Sequence, residues 1–171
     1  MRHPPIWDGC TAWQDYAYPW SRLITRWKFA QQPGLAQHLA RWMRSNPEVA
    51  QTLAWAEVVV PVPLSRERMR ERGYNPAAQL AQALSPTHCQ LHTLVRTTHT
   101  PAQSALSRRQ RLRNLRQAFT VHADLQPLIL QRRVLLIDDV MTTGATTHSA
   151  SHALLQAGAQ SIRILCAART P

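Results

Sequence analysis

Apolar positions in this chain follow two regimes. Near the amino end they recur at three- and four-residue intervals: Trp20, Leu23, Ile24 and Trp27, then, after the break at Pro33-Gly34, Leu35, Leu39 and Trp42. That spacing puts them on one face of each of two amphipathic helices, where tryptophan reads as core packing rather than as a platform for stacked bases. Farther along, apolar residues come in short unbroken runs. Ala56–Pro63 (AEVVVPVP) is β-branched and closed by prolines, as expected of a buried strand entering a loop. Arg133–Ile137 and Ser161–Ala168 are two more strands, and between them Ala150, Ala153, Leu154 and Ala157 mark a helix that Gly158 stops. Two parallel strands joined by a helix form a βαβ unit, so the predicted class is α/β: an open, mostly parallel sheet flanked by helices, with two helices ahead of it.

The middle of the chain is less regular. Leu64–Arg72 (LSRERMRER) is expected to be a basic loop, with Gly73 supplying a turn and Tyr74 and Asn75 capping a helix that runs through Leu80 and Leu84. Cys89–Val95 and Ala118–Val121 are short strand candidates, and Ser104–Leu115 (SALSRRQRLRNL) a basic helix or loop. With 171 residues, 44% of them hydrophobic, the chain is long enough for one domain with a substantial core. No run is long and apolar enough to span a bilayer, and Met1-Arg2-His3-Pro4-Pro5 lacks the apolar stretch of a secretory leader, so a cytoplasmic location is expected. Cys10, Cys89 and Cys166 are too scattered to form a disulfide framework or a self-contained zinc site.

Charge narrows the picture. Twenty basic residues against nine acidic give +11, and Lys28 is the only lysine among them. Arginine's planar, permanently charged fork matches phosphate oxygens in pairs, which points to a phosphorylated small molecule or to nucleic acid. A solvated basic surface would have the same composition, so the choice has to come from a motif.

That motif follows the strand at Arg133–Ile137. Asp138 and Asp139 stand at its carboxyl end, where ligands of open α/β sheets bind. Next come Thr142, Thr143, Gly144, Ala145, Thr146 and Thr147, a hydroxyl- and glycine-rich turn entering a helix, whose backbone N–H groups and hydroxyls can converge on one phosphate. Neither the lysine of a nucleotide-triphosphate loop nor a G-x-G-x-x-G pattern is present, which disfavours triphosphate and dinucleotide sites. Alternation along a strand would send one aspartate toward a ligand and the other toward neighbouring backbone.

The segment from Val134 to Thr147 resembles the signature of type I phosphoribosyltransferases. With Pro61–Ala81 (PVPLSRERMRERGYNPAAQLA), Gln103, Leu106, Arg113-Asn114, Ala118-Phe119 and the terminal CAART, the chain from about Tyr16 onward is similar to the ComF/GntX family. The resemblance implies a type I phosphoribosyltransferase-like domain over residues 16–171, preceded by an extension at 1–15. It also implies binding of 5-phosphoribosyl-1-pyrophosphate or a related ribose phosphate with Mg²⁺, and a role in DNA uptake during natural competence or in the use of DNA as a nutrient. Asp138 and Asp139 would stabilise the positive ribose of the transition state, while Arg66 and Arg68, and Arg108, Arg109, Arg111 and Arg113, are candidates for the pyrophosphate. The family's zinc ribbon of paired cysteines has no counterpart here beyond Cys10, so zinc is not expected. Two other functions remain open: salvage of a free nucleobase, and non-catalytic binding of single-stranded DNA, with competence or DNA-processing proteins as partners.

Overall fold

The computed structural model describes residues 5–29, 32–97 and 118–170. Its elements in chain order are β1 (Gly9–Asp15), α1 (Trp20–Phe29), α2 (Leu35–Arg44), α3 (Pro47–Trp55), β2 (Val58–Pro61), α4 (Arg66–Arg72), α5 (Pro76–Leu84), β3 (Leu94–Arg96), β4 (Phe119–Val121), a 3₁₀ turn (Ala123–Leu128), β5 (Arg133–Met141), α6 (Ala145–Gln156) and β6 (Ser161–Arg169). Four strands form a parallel sheet in the order β1-β6-β5-β2, and β3 and β4 make a separate antiparallel ribbon.

Alternation along β5 builds both halves of the core. Leu135 and Ile137 face a layer made by α1, α2, α3 and α5, where Ile24, Trp27, Leu39, Met43, Val49 and Leu80 are fully buried. Val134 and Leu136 face α6 and the ribbon, through Ala150, Leu154, Leu94 and Phe119. A strand covered on both sides must be apolar at every covered position, which is why Val134–Ile137 (VLLI) reads as a continuous run. Each of these aliphatic side chains contributes about 1.5–3 kcal/mol by leaving water.

The predicted α/β class, the flanking helices and the β5-α6-β6 unit are all present. Four local readings differ. Residues 9–15, expected to lie in an extension, form β1 and pair with β6 in register, Gly9 with Arg163 through Asp15 with Arg169. A third amino-proximal helix, α3, is present: the Asn46 side chain accepts from the amides of Glu48 and Val49 at 2.9 and 3.1 Å, and Pro47 occupies the first turn. Arg66–Arg72 is a helix rather than a loop, capped by the Ser65 hydroxyl and stopped by Gly73 in the left-handed region (φ 77°). From the Cys89–Val95 candidate only Leu94 and Val95 lie in a strand, while Cys89 makes a single bridge to Val59. Ser104–Leu115 lies outside the described residues.

Candidate phosphoribosyl site

β5 does not end at Ile137. It continues through Met141, with Asp138, Val140 and Met141 paired to Cys166, Ala168 and Arg169 of β6, so both aspartates are strand residues and Asp138 is held by the ladder. The chain then turns through Thr142–Gly144 and enters α6. Gly144 takes φ 75°, a conformation that costs a side-chain-bearing residue about 1–2 kcal/mol. A methyl group there would lie 3.4 Å from Cη2 of Trp7 and 3.7 Å from Oγ1 of Thr147.

The six residues of this loop divide by exposure. Thr142, Thr143, Ala145 and Thr146 are exposed and Gly144 half-buried, so hydroxyls and first-turn amides of α6 are open to an anion. Thr147 is fully buried; its hydroxyl donates to the Gly144 carbonyl at 2.9 Å and approaches Sδ of Met141 at 3.7 Å. Its side chain therefore shapes the turn from inside. Thr143 accepts from the Ala145 amide at 3.4 Å, a second brace within the loop. Trp7 packs edge-on to His148 at 6.3 Å and closes the back of the turn.

The aspartates differ sharply. Asp139 is 9% exposed, lies 2.8 Å from Nζ of Lys28 and 3.8 Å from Nη1 of Arg72, and accepts from the Val140 amide. Asp138 is half-buried, and its one described hydrogen bond comes from the Asp139 amide at 2.9 Å. Burial, and then the adjacent charge of Asp139, push its pKa up to about 7, against the opposing pull of that amide, Lys28 and Arg68. Asp138 is thus poised to gain from a cation or a hydroxyl donor, whereas Asp139 is already neutralised.

Arg66 and Arg68 are exposed on α4 and line a groove of about 1490 Å³ between α2, α4, α5 and the β3-β4 ribbon. The groove also carries Asn75, Gln79, His92 and Arg96, and its lining does not include Asp138, Asp139 or Thr142–Thr147. The candidate phosphate turn at the strand terminus is thus separate from this groove. Arg68 acts on Asp138 electrostatically, which links the two regions. Arg108, Arg109, Arg111 and Arg113 lie outside the described residues. Tyr74 does not cap α5; that role belongs to Asn75, which accepts from the Ala77 amide and donates to the Val62 carbonyl, both at 3.0 Å. The Tyr74 hydroxyl donates instead to the Trp27 carbonyl.

Lys28 and Arg72 were not expected at the site. The available signal was that Lys28 is the only lysine in an arginine-rich chain, but nothing local ties it to a strand end in the last third of the sequence.

Comparison with known proteins identifies the family and the fold. The profile described as "Phosphoribosyl transferase domain" matches residues 31–171. The chain belongs to this family. It is 34% identical to DNA utilization protein YhgH of Escherichia coli K12 and 35% identical to Competence protein F of Haemophilus influenzae, in each case over 99% of this chain and 76% of the relative. Over 59% of the chain it is 39% identical to Competence protein ComFC of Bacillus subtilis, of which 39% is covered. Among solved structures, the allosteric regulatory enzyme of purine biosynthesis has the same fold, with a TM-score of 0.50 and 18% identity over 82% of this chain. This chain spans 26% of that one. Among the described residues, no helix is long and apolar enough to cross a membrane.

Proposed function

We propose that the carboxyl end of β5 and the first turn of α6 bind 5-phosphoribosyl-1-pyrophosphate with Mg²⁺, in a cytoplasmic protein acting in DNA uptake or in the use of DNA as a nutrient. The observation that carries the reading is the adjacency of the exposed Thr142–Thr146 turn, supported from behind by Thr147 and Trp7, to Asp138 with its unneutralised carboxylate. The turn takes the 5-phosphate, and Asp138 takes the ribose hydroxyls. Arg66 and Arg68 face the groove side, where the pyrophosphate would extend.

The donor set also fits Mg²⁺, which keeps most of its water and needs only one or two carboxylates beside substrate phosphates. Bound there, it would neutralise charge on the pyrophosphate as that group departs. The names of the relatives supply the cellular setting. Transfer to a nucleobase is a second reading, favoured by the groove beside Arg66 and Arg68, which has room for an acceptor. Its test is pyrophosphate release on adding free bases.

The test of the main reading is calorimetric titration of phosphoribosyl pyrophosphate with Mg²⁺ into the wild-type protein and the Asp138→Asn variant. Micromolar binding that the variant loses is the expected result. Absence of binding to the wild type would sink the reading and leave single-stranded DNA binding without phosphoribosyl chemistry as the function to pursue.

A further inference from the structure

We infer that Lys28 is a ligand-binding residue, held on Asp139 in the free protein and passed to a phosphoryl oxygen when the phosphoribosyl ligand enters. The inference rests on the proposed function above and names a residue of that site which the motif does not contain.

Every other basic residue in the chain is arginine, yet the cation placed directly on the strand-end carboxylate is the single lysine. The chemical difference matters at this position. A guanidinium would grip a carboxylate through two parallel hydrogen bonds in a fixed plane, whereas an ammonium is a compact charge on a flexible stem and can exchange one anion for another. The Lys28 side chain retains 13% exposure and is not sealed in the core.

Neither partner depends on the ion pair to stay in place. The end of α1 is held by the Tyr74 hydroxyl on the Trp27 carbonyl, by the Trp27 indole N–H on Oε1 of Gln79 at 3.3 Å, and by the Arg72 guanidinium 4.6 Å above the Phe29 ring. Asp139 would keep Arg72 and the Val140 amide after Lys28 leaves. The charge of Lys28 also reaches Asp138, the carboxylate assigned to the ribose, so both strand-end carboxylates feel the ammonium. A multiply charged pyrophosphate attracts it more strongly than a carboxylate shared with an arginine.

Because the chain has one lysine, protein carrying ε-¹⁵N-lysine gives a single side-chain ammonium resonance, and that signal tests the exchange directly. On titration with phosphoribosyl pyrophosphate and Mg²⁺, the resonance is expected to shift along the same saturation curve that calorimetry records. Lys28→Arg is expected to melt like the wild type yet bind at least tenfold more weakly, because its fork stays on Asp139; Lys28→Gln is weakened as well. An unmoved resonance at saturation, or wild-type affinity in Lys28→Arg, would overturn the inference and make Lys28 a structural cation. Those outcomes presuppose binding by the wild type. Its absence would instead remove the phosphoribosyl reading, and this inference with it.

Discussion

The two ends of β5 use the same ingredients to opposite effect. At the amino end, Glu57 accepts from the backbone amide of Arg133 at 3.0 Å and from the side chains of Arg133 and Arg132 at 3.3 and 3.2 Å. It is solvated and outnumbered by cations, and these hydrogen bonds, led by the Arg133 amide, hold its carboxyl below the usual range. At the carboxyl end two carboxylates are adjacent and largely withdrawn from water. Lys28 and Arg72 serve one of them, while the other sits with its pKa near 7. The amino end is a surface stitch, and the carboxyl end holds an electrostatic cost that a bound cation or hydroxyl would relieve. Unrelieved cost of this kind is a physical reason to take this end of the strand as the candidate site.

The contrast can be broken most forcefully at Asp139. Asp139→Asn leaves Lys28 and Arg72 without their counter-charge, and urea unfolding should show a loss of about 3 kcal/mol. A loss below about 1 kcal/mol would put this pair on the footing of a surface bridge. Asp138→Asn should do the reverse, sparing the fold while weakening phosphoribosyl pyrophosphate binding about a hundredfold, or about 2.7 kcal/mol. In the free protein Asp138 also sets a pH dependence. Between its ordinary value of 3.8 and about 7, the unfolded chain has lost the proton that the folded chain keeps. Stability therefore falls as pH rises through that window, by at most about 1.4 kcal/mol per unit, and levels off above it. Unfolding curves from pH 4.5 to 8 should show this slope in the wild type and lack it in the asparagine variant.

A smaller effect is expected at the turn. Gly144→Ala forces a side chain into the left-handed region against Trp7, with a cost of about 1–2 kcal/mol and roughly tenfold weaker binding of the same ligand. Smallest of all is Glu57→Gln, for which melting temperature and ligand affinity should match the wild type. A drop in affinity there would show that the two ends of β5 are coupled, against the division drawn here.

The strand, turn and helix of the candidate site were legible because their signals are local: an unbroken apolar strand, two acids, and a threonine-glycine turn within fourteen consecutive residues. Other features were hidden for identifiable reasons. α4 buries no residue, so it has no apolar stripe to detect, and only Ser65 and Gly73 at its two ends announce a two-turn helix. β1 (GCTAWQD) mixes polar and apolar positions on both faces because it lies at the edge of the sheet, and its partner is the last strand of the chain. The Lys28–Asp139 pair joins distant segments, and no spacing rule can see it. Even the unequal fates of Asp138 and Asp139 were only half visible: alternation foretold opposite directions, but which side would hold the cations depended on where α1 and α4 pack.

The pairing of β1 with β6 also sets an order of events. Among the described strands, residues 9–15 leave the ribosome first and their hydrogen-bonding partner, residues 161–169, emerges after all the others. The sheet therefore cannot be completed by adding strands as they emerge, although domains commonly begin to fold during synthesis. Until β6 arrives, β1 has no ladder and the backbone beside Trp7 is not held, since the next residue, Asp8, is fixed by its hydrogen bonds to Ile162. A product that stopped short of residue 161 would therefore carry the whole threonine-glycine motif without the strand that fixes β1 beside it.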